Sequence, residues 1–489
     1  MREREVKLAA PPGFVPPAFD EPGMRAVPQQ PREYDTVYVD TPDLRLARWR
    51  CSLRHRSGEG WTLKLPSEDE GDVLERDEIL FEDDSVVPPA RALDLVSAFV
   101  RQESLEPVVR LHTVRRPLQL MNDAGRPLGE IVLDDVAVEG APGFREVEVE
   151  VQPEVSAATL DGLVQRLRAA GAGGADPMPK YLRALGPRAG RRPELDLTEP
   201  ARHATVAEVV RFALSSSTER LLRHDPGVRL GTDPEAVHQA RVATRRLRSD
   251  LKTFLSLLDA DWAQGLRRDL RWVARQLGVA RDADVLLDRL RGRLPDLRED
   301  DRARAIELLA ELSWSGDRAR QDLVTAMRGR PYLLLLDRLV EGSSAPPIAA
   351  AQSDRPAAEA TQPLVSRQWR RLRASVEALG PEPADSELHE VRIETKRARY
   401  AAEAAGPALG KRVRRFAKRA ATLQDVLGEL QDSVVARRWL RKHGIEAGGS
   451  FAYVAGELSA AEERAGRQAR AQWQRAWNRM AKAARKADL

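Results

Sequence analysis

The sequence is nearly devoid of cysteine. Cys51 is the only one in 489 residues, which excludes an internal disulfide and points to a reducing, cytoplasmic setting. Long apolar runs are missing as well. The longest, Tyr332 to Leu336, falls far short of the roughly 18 residues that a membrane-spanning helix needs, so no membrane partner is expected. The N-terminus opens on charges, not on a basic end followed by an apolar stretch, so no signal peptide is expected either. Aromatic residues make up 5%. The basic helical strip described below reads as free of interleaved aromatics, which makes nucleic acid an unfavourable partner.

Charge, by contrast, is abundant and unevenly placed. The formal net charge is +4, yet residues 1–200 carry 26 Lys and Arg against 36 Asp and Glu, and residues 201–489 carry 53 against 39. An acidic half suited to cations is joined to a basic half suited to a polyanion. The length exceeds one ordinary core, so two or three domains are expected.

The acidic half opens on strand-like alternation. Glu3, Glu5 and Lys7 would share one face and Arg4, Val6 and Leu8 the other. Two carboxylates beside an ammonium can hold a divalent cation and a phosphate together. Val6 to Leu65 and Val109 to Val151 keep a period-two pattern rich in Val, Leu, Tyr, Trp and Thr, which predicts antiparallel strands. Pro11 to Pro31 reads as a loop, and Ser85 to Gln102 and Thr159 to Ala170 as short amphipathic helices. The class is α+β with a large sheet. Charge recurs at alternate strand positions: Arg54 with Arg56, Thr62 with Lys64, Arg110 with His112 and Arg116, Glu130 with Asp134, and Glu146 with Glu148 and Glu150. Val147, Val149 and Val151 back the last of these stripes. The charged face therefore reads as the inside of a closed or strongly curved sheet, where both signs of charge call for a ligand.

Glu3-x-Glu5-x-Lys7, Tyr38-Val-Asp-Thr41, Asp43-Leu-Arg-Leu-Ala-Arg48, Leu53-Arg-His-Arg56, Trp61-Thr-Leu-Lys-Leu-Pro66, Glu146-Val-Glu-Val-Glu150 and Lys180-Tyr181 together resemble the CYTH domain of the triphosphate tunnel metalloenzymes, over about residues 1–190. The resemblance implies an eight-stranded antiparallel tunnel that hydrolyses or rearranges triphosphates with Mg²⁺ or Mn²⁺. It implies that Lys7, Arg54, Arg56, Lys64, Arg110 and Lys180 bind the triphosphate, with Arg76 as a further contact. It also implies that Glu3, Glu5, Glu148 and Glu150 bind metal, with Glu5 or Glu148 orienting the attacking water. Asp134 and Asp135 compete for one inward position, and parity with Glu130 favours Asp134. Arg115 and Arg116 compete for another; parity with Arg110 favours Arg116, and a bulge would reverse this. Trp49 and Trp61 read as core or rim.

Gly186 to Pro193 is short, basic and turn-rich and places a linker at 191–202. Beyond it the period changes to helical. Residues 341–363, rich in Ser, Ala and Pro, read as a mobile loop between two halves at about 203–340 and 364–489. Those halves repeat each other. His238-Gln-Ala-Arg-Val-Ala-Thr-Arg-Arg-Leu-Arg248 matches His389-Glu-Val-Arg-Ile-Glu-Thr-Lys-Arg-Ala-Arg399, and Leu277-Gly to Asp282 matches Leu427-Gly to Asp432. A duplicated bundle of about four helices per copy follows. His238, Arg241, Arg245, Arg248 and Lys252 fall on one helical arc, with Ala240, Ala243, Leu247, Leu251, Phe254 and Leu258 roughly opposite. His389, Arg392, Lys396 and Arg399 repeat the strip, interrupted by Glu403. Lys411, Arg414, Arg415 and Lys418, and Arg267, Arg268, Arg271 and Arg275, add parallel rows.

These residues resemble the CHAD domain, named for its histidines in an α-helical fold, over about residues 203–489. The resemblance implies two pseudo-symmetric four-helix bundles whose basic cleft binds long-chain inorganic polyphosphate. His238, Arg241, Arg245, Arg248, Lys252, His389, Arg392, Lys396, Arg399, Lys411, Arg414, Arg415 and Lys418 are the candidate contacts. The histidines are expected to orient neighbouring arginines; no Cys or second His lies near either one to complete a metal site. The expectation is a cytoplasmic, metal-dependent tripolyphosphatase joined to a polyphosphate holder, with association with polyphosphate granules as a further expectation. The alternatives are a non-catalytic polyphosphate-binding or granule-targeting protein, or a tunnel enzyme acting on thiamine triphosphate or a nucleotide.

Overall fold

A computed structural model describes residues 4–21, 23–66, 78–83, 85–174, 178–190 and 193–489, without the side chains of Arg4 and Glu21. The candidate residues Glu3 and Arg76 lie outside the described residues. The chain divides into two compact units, Met1–Glu194 and Leu195–Leu489. Among the described residues no helix is long and apolar enough to cross a membrane.

The first unit is built on one antiparallel sheet. Its strands are β1 (Arg4–Ala9), β2 (Asp20–Glu21), β3 (Met24–Pro28), β4 (Arg32–Asp40), β5 (Ser52–Arg56), β6 (Gly60–Lys64), β7 (Glu78–Phe81), β8 (Glu106–Met121), β9 (Pro127–Val138) and β10 (Ala141–Val151). Eight of them follow the order β1-β10-β9-β8-β4-β5-β6-β7, and the pair β2/β3 attaches to β8. Residues 11–31, expected as loop throughout, thus include two short strands. Among the described residues four α-helices accompany the sheet: α1 (Arg45–Arg48), α2 (Ala90–Val100), α3 (Ala157–Ala169) and α4 (Lys180–Leu185).

Alternation decides which face is which. Leu8, Ile131, Leu133, Val147, Val149 and Val151 are buried on one face against Leu160, Leu163, Val164 and Leu167 of α3. Ser156 starts that helix by accepting a hydrogen bond from the Thr159 N–H at 3.1 Å. With one face of β1, β9 and β10 given to α3, the charged residues of the same strands share the other. Lys7 and Lys64 are six strands apart along this path, yet the Lys7 charge reaches Lys64, so the sheet curves until its charged face is the inside of a trough.

The end of this unit is clasped to its body. Glu194 accepts hydrogen bonds from Trp49 Nε1 at 2.6 Å and from Arg101 Nη1 at 3.1 Å, with Arg101 Nη2 on its other oxygen. The Arg101 side chain is only 2% exposed. The segment read as linker therefore contributes to the first unit as far as Glu194.

The second unit is all helix: α5 (Val206–Leu230), α6 (Pro234–Thr253), α7 (Ala260–Arg291), α8 (Glu299–Arg328), α9 (Arg330–Ser344), α10 (Ala350–Ser353), α11 (Ala357–Glu377), α12 (Asp385–Leu409), α13 (Lys411–Ala447) and α14 (Gly449–Lys486). The repeated motifs fall on equivalent helices, α6 with α12 and α7 with α13. Thr205 caps α5 in a reciprocal capping box with Glu208, and Asp233 with Pro234 starts α6. A core spanning Val365 to Ala487 fills the second bundle. The far ends of α7, α8, α13 and α14 share an apolar cluster around Leu290, Leu309, Leu440 and Leu458, which welds the two copies.

The expected loop at 341–363 is a correction. α9 continues to Ser344, α10 occupies Ala350–Ser353 and α11 begins at Ala357. Its remaining residues are pinned by bridges Leu258↔Ile348 and Thr205↔Pro356. Three of its four prolines mark boundaries: Pro346 and Pro347 follow α9, and Pro356 precedes the first residue of α11, where a proline costs no helical hydrogen bond, whereas Pro363 lies inside α11.

Glu194→Ala leaves the Arg101 guanidinium buried without its carboxylate. The expected outcome is a loss of about 3 kcal/mol in the first unit, read as an earlier urea transition in full-length protein, whereas an effect below about 0.5 kcal/mol would refute the clasp.

Candidate functional site

The inside of the trough is polarised. Register places Lys7 opposite Glu148, Glu5 opposite Glu150, and Ala9, Glu146, Asp134 and Arg115 in one row across β1, β10, β9 and β8. This wall gathers Glu5, Asp134, Glu146, Glu148 and Glu150. Asp134, Glu146 and Glu148 are almost fully buried. Three cations reach Glu148: Lys7 Nζ at 2.7 Å, Lys180 Nζ at 2.7 Å and Arg115 Nη2 at 3.1 Å. Lys180 also touches Asp134 and Glu146 at 2.8 Å each, and Arg115 grips Asp134 through Nε at 3.0 Å and Nη2 at 2.8 Å. Lys7 reaches Glu5 at 2.9 Å.

α4 brings Lys180 there. Pro179 sets its start, and Tyr181 anchors it by stacking on Tyr38 with ring centroids 5.2 Å apart and by donating its hydroxyl to the Cys51 carbonyl at 3.0 Å. Tyr38 and Tyr181 belong to an apolar plug with Leu44, Val109, Leu111, Val136 and Leu185.

The opposite wall is basic. Tyr38 pairs with Arg54 across β4 and β5, Thr36 with Arg56, and Ser52 with Lys64 across β5 and β6. Glu78 on β7 meets Lys64 at 3.0 Å and Arg54 at 3.4 Å. The Arg56 guanidinium lies over the Tyr34 ring at 4.5 Å. Arg56 Nη1 meets Glu59 at 2.8 Å, yet burial and the neighbouring Arg54 charge push the Lys64 ammonium and the Arg56 guanidinium down, so Glu59 and Glu78 do not fully offset the three cations of this wall.

Arg110 and Arg116 are corrections. Arg110 is 54% exposed beside Glu139, and Arg116 is 48% exposed beside Asp135. Alternation joined Arg110, His112 and Arg116 on one face, and they do share it, but it is the outer one. Val109, Leu111 and Thr113 are buried in the first half of β8, and Arg115 continues their parity into the trough. Asp134 points inward and Asp135 outward to Arg116 and Arg145.

In the second unit α6 and α12 bring two basic strips together. Arg245 donates to the Tyr400 hydroxyl from Nε at 3.1 Å and from Nη2. Arg392 and Lys396 feel the charges of Arg241 and Arg245, and Arg241 Nη1 meets Asp282 at 2.6 Å. Burial and nearby Arg281 hold the His238 imidazole below its usual range; His389 is half-buried on α12. Arg248 and Lys252 belong to a neighbouring cluster with Arg267, Arg271, Arg371 and Arg397. Arg399 is held by Glu403 at 2.7 Å. Lys411, Arg414, Arg415 and Lys418 lie on the exposed face of α13, with Arg414 tied to Glu199 at 2.5 Å.

Two family descriptions match this chain in order, the CYTH domain over residues 1–180 and the CHAD domain over residues 212–441. Uncharacterised proteins from two strains of Mycobacterium tuberculosis are 33% identical to it over 517 residues, covering 97% of this chain and 95% of theirs. The chain belongs to the CYTH–CHAD family. Among solved structures, PptA from Streptomyces chartreusis is 26% identical, covering 56% of this chain and all of that one, with a TM-score of 0.48. The CHAD domain from the plant Ricinus communis is also 26% identical, covering 60% of this chain and 95% of that one, with a TM-score of 0.44.

Three residues of the CYTH and CHAD sites escaped selection from sequence. Glu146 was visible in the acidic stripe but not singled out; its place in a row with Asp134 and Arg115 is a fact of register. Tyr38 sat inside a quoted motif; burial opposes its ionisation, but Arg54, Lys180 and Lys64 hold its phenol below the usual range. Tyr400 corrects the expectation of an aromatic-free strip: its place four residues after Lys396 is visible in the sequence, and its bond to Arg245 is a fact of α6–α12 packing.

Carboxylates outnumber cations on the acidic CYTH wall, and Glu150 carries the imbalance. Burial, then Glu5 and Glu148, push its carboxyl up to about 7. Glu148 is the reverse: burial opposes its charge, yet Lys180, Lys7 and Arg115 hold it well below the carboxylate range. A raised folded-state carboxyl costs stability as pH climbs from the unfolded value near 4.5 through about 7. Glu150→Gln should therefore raise the Tm of metal-free protein at pH 8 and leave it unchanged at pH 4; equal effects at both pH values would contradict the assignment.

Proposed function

We propose that the CYTH unit is a metal-dependent inorganic triphosphatase acting on tripolyphosphate, and that the CHAD unit retains long-chain inorganic polyphosphate. The observation that carries this reading is the polarity of the trough, a carboxylate wall facing a guanidinium and ammonium wall. Metal binding is tested by the donor set. Glu5, Glu148 and Glu150 each offer an oxygen within 4.8 Å of the others, and so do Asp134, Glu146 and Glu148. Hard oxygen donors with too few neighbouring cations fit Mg²⁺ or Mn²⁺. Such an ion, held by Glu5, Glu148 and Glu150 with Asp134 and Glu146 as a second donor set, supplies charge neutralisation and polarises phosphoryl oxygens.

The chain's own residues do the rest. Arg54, Arg56 and Lys64 bind phosphate oxygens, and a planar guanidinium can hold two at once. Glu78, now on Lys64 and Arg54, gives way to substrate. Lys7, Arg115 and Lys180 bridge the walls, because each can leave Glu148 for a phosphate oxygen. Glu148, held ionised by three cations, is a weak base and acts as their anchor. Glu5, whose side chain is 19% exposed and has Lys7 beside it, orients the attacking water. Enclosure in the trough strengthens each of these charge interactions over its value in water.

In the CHAD unit Arg241, Arg245, Arg392 and Lys396 face one another with too few acids to neutralise them, a state that a polyanion relieves. Tethering polymer to the same chain raises the local concentration of its ends for the CYTH unit.

Phosphate release from tripolyphosphate, thiamine triphosphate, ATP and long polyphosphate, each with Mg²⁺ or Mn²⁺, tests the reading. Tripolyphosphate should be the best substrate. Glu5→Ala and Glu148→Ala should abolish turnover, and Arg115→Ala should lower it about 100-fold or more. Arg110→Ala and Arg116→Ala, on the outer face, should stay within about twofold. Turnover without any divalent metal would sink the mechanism. Reversing charge at Arg241, Arg245 and Arg392 should eliminate polyphosphate retention and spare tripolyphosphate turnover. Equal competition by duplex DNA would remove the polyphosphate assignment.

A further inference from the structure

Lysine is rare in this chain, ten residues against 69 arginines, so a lysine inside an arginine cluster is chemically informative. Lys396 is such a residue. Arg392, Lys396 and Tyr400 follow one another at four-residue spacing on one face of α12. Arg245 of α6 is fixed on the Tyr400 hydroxyl, and Arg241 stands one helical turn from Arg245. Burial, then Arg245, Arg392 and Arg241, push the Lys396 ammonium down to about 7. The other charged and titratable groups of the cleft are Glu235 and His238 on α6, Arg281 and Asp282 on α7, Arg399 and Glu403 on α12, and Asp425 and Asp432 on α13. Asp282 is committed to Arg241 at 2.6 Å, Asp432 faces Arg392, and Arg399 is held by Glu403.

A cluster of arginines alone is chemically inert, because a guanidinium keeps its proton at any ordinary pH. One amine in the same field becomes a nucleophile, since neighbouring cations disfavour its charged form. The same guanidiniums are a docking site for a phosphoryl group. We infer that Lys396 is an acylation site for small acyl phosphates, with the surrounding guanidiniums holding the phosphoryl group while the amine attacks the acyl carbon. This rests on the reading of the cleft as a phosphate-binding surface. In the reaction the Lys396 Nζ lone pair forms the new C–N bond and the C–O bond to phosphate breaks, its electron pair leaving with inorganic phosphate. The surplus ammonium proton passes to phosphate or water. The product amide carries no charge, so acylation removes one cation from the cleft and weakens its hold on polyanions.

Full-length protein at pH 7 is incubated with acetyl phosphate, and acetylation of each lysine is followed by peptide mass spectrometry. Lys396 should react at least about tenfold faster than the exposed Lys411, Lys482 and Lys486, because the guanidiniums around it hold the donor's phosphoryl group beside the amine. Excess tripolyphosphate should slow it, and the preference should shrink with p-nitrophenyl acetate, which has no phosphoryl group. Equal rates for all four lysines, or the same preference with both donors, would overturn the inference. Selective acetylation by acetyl phosphate that long polyphosphate fails to block would support the acylation site and count against the polyphosphate reading alone.

Discussion

Three cations converging on Glu148 are the interaction on which the CYTH unit depends. Lys7 comes from the first strand, Arg115 from β8 and Lys180 from α4, and each lies within 3.1 Å of the same buried carboxylate. Burying one carboxylate costs several kcal/mol unless it is paired and hydrogen-bonded. The pairing here requires the sheet to curve, the N-terminal strand to add beside β10, and α4 to close over the plug at Tyr38 and Tyr181. The same contacts leave Glu5 and Glu150 under-neutralised and Arg54, Arg56 and Lys64 short of anions. Structure and site are thus one arrangement of charge. Its consequence is coupling: the three cations can serve either Glu148 or a phosphate, and Glu148 freed of them becomes a donor for a divalent ion. Cation and triphosphate should therefore bind with positive cooperativity, each clearing the way for the other.

The CHAD unit handles charge differently. Its cleft has Asp282 and Asp432 against Arg241, Arg245, Arg281, Arg392 and Lys396, so the excess is uncompensated within the fold. Tyr400 solves the geometric side of that problem by giving Arg245 a neutral acceptor, which holds the guanidinium in place without cancelling its charge. The repeat matches at His238/His389, Arg241/Arg392, Arg245/Lys396 and Arg248/Arg399 but not here: Ser249 stands where the second copy has Tyr400, and Lys252 where it has Glu403. Asp250, fully buried beside Ser249, has its carboxyl pushed up to about 7 by burial. A duplicated sequence has become two unlike halves at their junction.

Much of this was legible in the sequence because charge at period two or four is a local signal. Glu5, Lys7, Arg54, Arg56, Lys64, Asp134, Glu148 and Glu150 follow from alternation plus motif order, and the trough gathers them. Arg110 and Arg116 show the limit. Parity tells which residues travel together but not which face is concave, and that was set by Val109 and Leu111 packing under α4. Glu146, Tyr38 and the Arg245 contact of Tyr400 depend on cross-strand register or helix pairing, which no single segment encodes. Residues 341–363 misled for a third reason. Pro346, Pro347 and Pro356 flank helices, Pro363 is accommodated within α11, and the bridges holding the segment come from Thr205 and Leu258, far away in sequence.

The claim at the centre is that metal and triphosphate share one network of side chains. Titration calorimetry with Mn²⁺, in the absence and presence of saturating imidotriphosphate, a slowly hydrolysed analogue, tests it most directly. The account predicts that the analogue tightens Mn²⁺ binding by about tenfold or more and that Glu148→Gln removes most of this gain. Mn²⁺ affinity that is unchanged by the analogue, in a protein that binds both, would contradict it.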